Sequence, residues 1–304
     1  MRVTVTGATG LIGSRLVARL LDRGDEVCVL SRQPDRARSV LGTEVEAQSW
    51  DPLRQPAPTG ALEGRDGVIH LAGEPVAQRW TVSAKRAIRD SRVTGTANLV
   101  AGLRALGRRP AVLIGGSAVG YYGSRGPQRL TEAAGPGSGF LAEVCVAWEG
   151  EAAAAAADLD MRVVYLRTGV VLDRAGGALA KMLPPFRAGV GGPVAGGHQF
   201  MPWIHADDVV AMALAALDGE RWRGPVNVCA PEAVTNAVFS QALGRALHRP
   251  ALLPVPGLAL RLLYGEMAEV VTEGQRAVPA RATDLGFEFG HPRLDAALRD
   301  ALEG

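Results

Sequence analysis

Three glycines near the amino terminus have the spacing of a loop that binds a phosphate group. Gly7, Gly10 and Gly13 follow a short extended run that alternates valine and threonine, and they precede a helical pattern of leucine and valine side chains. A strand, a glycine turn and a helix in this order direct free backbone N–H groups and a helix dipole at one point. Glycine permits the tight turn and a close approach of the phosphates. The turn therefore predicts a pyrophosphate site.

The residues at the end of the second predicted strand indicate which dinucleotide would bind there. Glu26–Ser31 is followed by Arg32-Gln33-Pro34, with Arg36 close behind. An acidic residue at this point would bind the ribose hydroxyls of NAD, whereas a guanidinium can pair with a 2′-phosphate. Ser31 and Arg32 therefore favour NADP(H) over NAD(H). The alternative is that Arg32 is a solvated surface residue and either cofactor binds.

Predicted strands and helices alternate along the chain and would position this turn. We predict strands over 26–31, 44–48, 67–72, 111–115, 162–166 and 226–229, and helices over 36–41, 82–106, 140–159, 206–217, 235–247 and 293–302. Such alternation is typical of α/β proteins with a Rossmann-type, doubly wound parallel sheet. We expect a smaller, mostly helical carboxy-terminal part on the substrate side.

The expected domain organisation has three parts. Residues 1–170 would form the cofactor-binding core, completed by a strand and a helix near 200–230. Residues 171–249 would supply substrate-side loops and helices interleaved with that core, with a glycine-rich loop over 189–197. Pro250, Pro254 and Pro256 then mark the start of a small helical domain over 250–304.

Composition narrows the class of function. The net charge of +2 is too small to predict nucleic-acid binding, and the 47% of hydrophobic residues can form a substantial core. No apolar run approaches the roughly 18 residues of a membrane span, so we expect no membrane association and a cytoplasmic location. The three cysteines form no metal-spaced pair, and no histidine, cysteine or aspartate cluster has ligand spacing. The sequence therefore predicts no metal site.

Five motifs together resemble the extended short-chain dehydrogenase/reductase superfamily, also called the NAD-dependent epimerase/dehydratase superfamily. They are Thr6-Gly-Ala-Thr-Gly-Leu-Ile-Gly13, His70-Leu-Ala-Gly73, Gly116-Ser-Ala-Val-Gly-Tyr-Tyr-Gly123, Leu166-Arg-Thr-Gly169 and Trp203-Ile-His-Ala-Asp-Asp208. The runs Arg89–Val93, Phe140–Cys145 and Trp148-Glu149 narrow the resemblance to its atypical "epimerase family" branch, which has a small carboxy-terminal domain of unassigned role.

The resemblance implies a set of cofactor-binding residues. On the glycine turn and the first helix these are Gly7, Thr9, Gly10, Leu11, Ile12 and Gly13. At later strand ends and in one helix they are Ser31, Arg32, Leu71, Ala72, Gly73, Arg92, Arg167 and Thr168. The implied activity is that of an epimerase-like oxidoreductase on a small carbonyl, alcohol or sugar-type substrate, and the resemblance does not identify that substrate.

One departure from the superfamily pattern concerns the acid–base residues. Its usual chemistry needs a tyrosine followed four residues later by a lysine, which lowers the pKa of the phenol. None of the four tyrosines has such a lysine, and the expected position reads Phe140-Leu-Ala-Glu-Val-Cys145. The remaining candidates for catalysis are Ser117, which matches the superfamily's active-site serine, Tyr122 and Glu143.

Two interpretations remain open. In the first, the protein is an enzyme with a non-standard site built from these candidates. In the second, it binds or senses NADP(H) without turnover and signals through a partner. The long helices predicted over 82–106 and 140–159 are where such folds pair, so both a monomer and a homodimer fit the sequence.

Overall fold

The computed structural model describes residues 1–303, which form thirteen strands and eleven helices with three short 3-10 turns. The strands, in chain order, are β1 (Arg2–Thr6), β2 (Glu26–Ser31), β3 (Glu46–Ser49), β4 (Gly67–His70), β5 (Val112–Ala118), β6 (Arg129–Leu130), β7 (Arg162–Thr168), β8 (Val170–Leu172), β9 (Phe200–Met201), β10 (Trp203–His205), β11 (Gly224–Val228), β12 (Val234–Thr235) and β13 (Arg276–Ala277). The helices are α1 (Leu11–Asp22), α2 (Pro34–Leu41), α3 (Val82–Arg104), α4 (Phe140–Leu159), α5 (Gly177–Arg187), α6 (Ala206–Asp218), α7 (Asn236–Ala246), α8 (Gly257–Tyr264), α9 (Glu269–Thr272), α10 (Ala280–Asp284) and α11 (Leu294–Glu303).

Seven parallel strands form the central sheet in the order β3-β2-β1-β4-β5-β7-β11. The order reverses direction beside β1, which is where doubly wound sheets open a crevice for a ligand at the carboxyl ends of the strands. The expected Rossmann-type parallel sheet is confirmed. The sheet places the glycine turn after β1 next to the ends of β2 and β4.

Helices cover both faces of the sheet. Leu16 and Leu20 of α1 pack with α6 residues such as Val209 and Met212 on one face. On the other face, Leu99 of α3 belongs with alanines of α4 to a second buried cluster. Because both faces are covered, almost all residues of the inner strands β1, β4 and β5 are buried.

The carboxy-terminal residues pack against the body through apolar and polar contacts. Leu298 of α11 belongs to a third core cluster that includes Phe239 of α7. The Asn227 side-chain amide, on β11, donates to the Val278 carbonyl at 2.9 Å, and the Asp208 carboxylate accepts the backbone N–H groups of Gly290 and His291 at 2.7 and 3.0 Å. The mostly helical character expected here is confirmed. Among the described residues, no helix is long and apolar enough to cross a membrane.

The helix α5 is an element that the sequence pattern did not identify. Pro184 and Pro185 lie in its last turn. Proline has no backbone N–H and normally interrupts a helix, so a sequence reading stops before it. Two prolines near the end of a helix remove only two of its backbone hydrogen bonds. The buried side chains of Leu179 and Leu183 hold this segment against the core.

Candidate active site

The glycine turn after β1 packs tightly against the end of β4. Gly7 has a φ of +70°, and a Cβ on it would lie 2.6 Å from the Leu71 carbonyl carbon. A Cβ on Gly13 would lie 2.2 Å from the Gly7 oxygen. Any residue with a Cβ would clash at either position, so both must be glycine. The resulting tight turn places the amino terminus of α1 at the crevice. Gly10, the N-cap of α1, provides no side-chain cap, which leaves helix N–H groups for an anion.

A groove of about 290 Å³ opens at this turn. Eight of its lining residues belong to the predicted cofactor set: Gly7, Thr9, Gly10, Ser31, Arg32, Leu71, Ala72 and Gly73. Trp50 and Pro52 also line it, and neither was predicted from the sequence to belong to this site. Leu11, Ile12 and Gly13 form the first turn of α1 beside the groove.

Arg32 lies at the rim of the groove, directly after β2. Its side chain is exposed, and it makes no hydrogen bond or ion pair with any residue among 1–303. Arg38 on α2, by contrast, is paired with Asp35 and the Ala47 carbonyl. An unpaired guanidinium beside this glycine turn can donate hydrogen bonds to a second phosphate group, in addition to the pyrophosphate predicted at the turn.

Arg92 of α3 borders the groove on its other side. A Cβ on Gly73 would lie 3.2 Å from the Arg92 guanidinium carbon. The guanidinium donates to the carbonyls of Glu74 and Ile88, and it lies 5.1 Å from the centroid of the Trp148 ring. Burial lowers the pKa of Arg92. These contacts fix the guanidinium beside Gly73, and the cofactor role of Arg92 stays a prediction.

Arg167 lies in the interior, in a buried charge pair with Glu149 of α4. The two side chains form a bidentate contact, with N–O distances of 2.8 and 2.7 Å. Burial opposes the charge of Arg167, but its hydrogen bonds to Glu149 prevail and raise its pKa. In the structure its guanidinium contacts Glu149 and the aromatic face of Tyr121, and the cofactor contact predicted for Arg167 stays a prediction. Thr168 next to it bonds back to the Leu166 carbonyl.

Ser117 stands at the end of β5 and is held by the same carboxylate. Its hydroxyl donates to Glu149 Oε1 at 2.6 Å. Cys145 lies one helical turn before Glu149 on α4 and is buried near Ser117. Burial, followed by the charge of Glu149, raises the pKa of the Cys145 thiol to about 11. The thiol is therefore protonated at neutral pH and is a poor nucleophile.

Tyr122, one of the predicted catalytic candidates, lies in the interior of the protein. Its hydroxyl is fully buried, donates to Asn227 Oδ1 at 2.6 Å and accepts from Arg167 at 3.0 Å. Burial raises its pKa to about 12. The physical reason is the partner on β11, more than 100 residues away in sequence, which draws the hydroxyl into the interior.

Glu143 lies on the exposed side of the first turn of α4. Its neighbours Leu141 and Ala142 line a second, smaller pocket that also contains Glu269 and Glu273. That pocket lies between the start of α4 and the carboxy-terminal residues. The structure therefore links Ser117 and Tyr122 through the buried Glu149–Arg167 pair, whereas Glu143 faces solvent.

Sequence reasoning did not identify Glu149 and Asn227, the two side chains that organise this interior. Glu149 appeared only as part of the Trp148-Glu149 mark of the resemblance. A signal was nevertheless present, because a carboxylate amid an alanine-rich helix face needs a cationic partner if it is buried. Nothing in the local pattern of Asn227 distinguishes it from a strand-end residue.

The family model for the NAD dependent epimerase/dehydratase family matches residues 3–229. The chain belongs to this family. A second model, a domain of unknown function (DUF1731), matches residues 255–301. The predicted branch is confirmed by relatives that carry the same description.

Two curated relatives and one solved structure illustrate the similarity. The chloroplastic SDR39U1 homolog of Arabidopsis thaliana is 39% identical, over 100% of this chain and 87% of that protein. The epimerase family protein Mb2239 of Mycobacterium bovis is 40% identical, over 97% and 96% of the two chains. The crystal structure of human SDR39U1 (isoform 2) with NADPH superposes with a TM-score of 0.88 at 34% identity and covers 100% of both chains.

Proposed function

We propose that this protein binds NADP(H) at the glycine turn and is an epimerase-like oxidoreductase with a non-standard active site. The observation that carries the cofactor assignment is the unpaired Arg32 guanidinium at the rim of the groove. The human relative crystallised with NADPH supports the same cofactor. When bound, the nicotinamide would supply reversible hydride transfer at a carbonyl or alcohol carbon.

The residues present fit this cofactor. The contacts that a Cβ would make at Gly7 and Gly13 leave room only for a bare backbone beside a pyrophosphate. Arg32 would pair with the 2′-phosphate, and Ser31 lies beside it in the groove lining. Leu71, Ala72 and Gly73 would lie along the nucleotide where β4 ends. Arg92 would stay at the edge of the groove near Gly73.

We propose that Ser117 contacts the substrate oxygen and exchanges a proton with it. Because the Ser117 hydroxyl donates to Glu149 Oε1, its oxygen is free to accept a hydrogen bond from a substrate alcohol. Glu149 can take the Ser117 proton as the substrate proton arrives. Arg167 neutralises Glu149 and weakens it as a base. We therefore expect turnover about 10²–10⁴ below that of enzymes with a tyrosine–lysine pair.

A cofactor titration tests the first half of the proposal. We expect Arg32→Asp to weaken NADPH binding at least about tenfold, because it removes a charge-assisted contact to the 2′-phosphate, and to leave NADH binding unchanged. Arg36→Asp is the matched control, since Arg36 is exposed on α2 but outside the groove lining. Equal losses for both variants would mean a general charge effect and would refute the phosphate contact.

A second candidate function is supported by the interior position of Tyr122. With that phenol buried and Phe140 and Cys145 on the facing helix, the protein could bind NADP(H) and signal its presence to a partner without turnover. Screening small carbonyls and sugar nucleotides for oxidation of bound NADPH separates the two functions. Tight binding with no turnover of any of them would favour the sensing function.

Turnover that Ser117→Ala abolishes would support the enzyme, whereas turnover that survives Ser117→Ala would refute the role of Ser117. We also propose that the protein has no nucleic-acid partner, because its net charge of +2 is small. A cytoplasmic location without a membrane partner is part of the same proposal. The oligomeric state, monomer or homodimer, can be measured on the same preparation by light scattering.

A further inference from the structure

Two histidines and an aspartate from distant parts of the sequence meet between α6 and α11. His205 is the N-cap of α6, His291 precedes α11, and Asp300 lies within α11. The two imidazole rings stack with centroids 3.8 Å apart. Their Nε2 atoms lie 3.2 and 3.4 Å from the same oxygen, Asp300 Oδ2. The three side chains therefore converge on one point rather than merely sharing a surface.

Each histidine also has a carboxylate near its other ring nitrogen. His205 Nδ1 lies 3.8 Å from Asp207 Oδ2, and His291 Nδ1 lies 3.9 Å from Asp208 Oδ2. His291 Nδ1 is buried without a hydrogen-bond partner. Histidines that ligate metals usually present one nitrogen to the ion and donate the other N–H to a carboxylate. Asp207 and Asp208 stand on the Nδ1 sides of the two rings, beyond hydrogen-bond length but placed to accept this proton when an ion binds.

We propose that His205 Nε2, His291 Nε2 and Asp300 Oδ2 bind a zinc-class divalent cation. Tetrahedral zinc with bonds of about 2.0–2.2 Å separates its ligand atoms by about 3.3–3.6 Å, and the two nitrogen–oxygen distances here, 3.2 and 3.4 Å, lie close to that range. All three ligand atoms lie within 4.8 Å of one another. Imidazole and carboxylate together suit Zn²⁺ or Co²⁺ better than Mg²⁺ or Ca²⁺, which prefer sites built from oxygen alone.

Binding requires the two stacked rings to tilt until both Nε2 lone pairs point at the ion, together with one rearrangement of protons and hydrogen bonds. Without the ion, His205 Nδ1 accepts the Asp207 backbone N–H at 3.2 Å, so the ring proton of the neutral form is on Nε2. A cation at Nε2 needs the proton on Nδ1, where the Asp207 carboxylate can accept it. One hydrogen bond replaces another, and no proton is gained or lost at this ring. The site is open to entry, since 56% of the Asp300 side chain is exposed.

The position of the site predicts what the cation does. His291 and Asp300 belong to the last residues of the chain, whereas His205 belongs to the body that carries α6. A bound ion would join the carboxy-terminal helix to that body and would stabilise the folded protein, because it binds the folded state alone. The sequence could not indicate this site, because its members are separated by 86 and 9 residues (291 − 205 and 300 − 291).

Metal titration of the full chain tests the site. After treatment with EDTA and its removal, Zn²⁺ is titrated by calorimetry and Co²⁺ by the absorption of tetrahedral cobalt. We expect about one equivalent per chain, at least about tenfold weaker binding in His291→Gln and Asp300→Asn, and a higher melting temperature with Zn²⁺ in the wild type but not in these two variants. His248→Asn is the control, because His248 is exposed outside the cluster and asparagine tolerates its left-handed backbone (φ 53°).

The metal affinities of the wild type, the two cluster variants and the control decide whether the site exists. Saturable binding that both cluster variants lose and His248→Asn retains would support the site. Asp300 is largely exposed, so Asp300→Asn keeps the test valid even if His291→Gln folds poorly. Absence of saturable Zn²⁺ binding in the wild type, or equal affinity in the wild type and Asp300→Asn, would overturn the proposal.

Discussion

At the scale of single residues, the interior is organised by one buried carboxylate. Glu149 holds the Arg167 guanidinium through two contacts and accepts the Ser117 hydroxyl. Glu149 has two roles. It neutralises the buried Arg167 guanidinium, and it orients the Ser117 hydroxyl at the end of β5. An intact buried ion pair adds little to the free energy of unfolding, but removing one partner leaves a buried charge uncompensated and strongly destabilises the protein.

We expect Glu149→Gln to lower the free energy of unfolding by about 3–5 kcal/mol, because it leaves the Arg167 charge buried without a counter-ion. Urea denaturation measures the loss. Glu151→Gln on the same helix is the matched control, since Glu151 is partly exposed and its side chain makes no hydrogen bond or ion pair among residues 1–303. Similar stability in both variants would show that the pair is not strongly coupled to folding.

Tyr122→Phe provides a test of the interior position of that phenol. The change leaves Asn227 Oδ1 without its donor and removes one acceptor from Arg167, so we expect a loss of about 1–3 kcal/mol in unfolding free energy. We expect NADPH affinity to stay within about twofold of the wild type. A variant with normal stability and strongly reduced turnover would instead restore Tyr122 as a catalytic candidate.

At the scale of elements, the junction of β1, β4 and α1 sets the geometry of the groove. The close approach of the glycine turn to Leu71 depends on residues without a Cβ. His70, at the end of β4, is completely buried and hydrogen-bonds Thr6 on β1 at 2.7 Å. Polar and steric contacts thus fix these strands at the point where the cofactor would bind.

Two glycine-to-alanine variants should behave in opposite ways. Gly13→Ala places a Cβ against the Gly7 oxygen, so we expect a loss of NADPH binding and lower stability. Gly150→Ala in α4 meets no atom within 4 Å, and we expect it to raise the free energy of unfolding by about 0.5–1 kcal/mol. Binding assays and denaturation on both proteins check this, and unimpaired NADPH binding by Gly13→Ala would contradict it.

Acidification should weaken the β1–β4 junction through His70. Burial lowers its pKa from the usual 6.5 to about 4. Between these values the unfolded chain binds the extra proton, so stability is fully present above pH 6.5 and decreases as the pH falls towards 4. We expect about 2 kcal/mol less stability from this group at pH 5 than at pH 7. Denaturation curves of wild type and His70→Gln test this, and the same pH slope in both would refute it.

At the scale of the whole molecule, the carboxy-terminal residues are tied to the Rossmann-type body by buried polar groups as well as by α11. Asp208, 2% exposed, accepts two backbone N–H groups from the segment that leads into α11. Pocket residues such as Glu269 show that another part of the same region lies beside the start of α4. The division into three domains stays a prediction.

We expect Asp208→Ala to lower the free energy of unfolding by about 2–4 kcal/mol, because two backbone donors lose a charged acceptor. Asp207→Ala serves as the neighbour control: its side chain is 57% exposed and its surface pair with Arg15 should contribute about 0–1 kcal/mol. Both are measured in EDTA so that any metal effect is excluded. Equal losses in the two variants would argue against a special role for Asp208 in docking.

The sequence by itself determined the local features of this protein. The glycine turn, the strand Glu26–Ser31 and the helix Phe140–Leu159 occur where the pattern predicted them, and the other boundaries differ by a few residues. Steric freedom at glycine and the period of apolar residues act over a few neighbours, so one sequence suffices to recognise them. The Rossmann-type sheet followed from the alternation of these elements.

Only the tertiary structure decided which side chains meet. In the folded protein Tyr122 hydrogen-bonds Asn227, and Arg167 pairs with Glu149. Arg32 has no partner among residues 1–303. His205 and His291 both lie close to Asp300. Such partners come from segments that lie far apart along the chain. Whether a polar side chain faces solvent, a ligand or a buried charge depends on the packing of several elements at once. No local pattern contains that information.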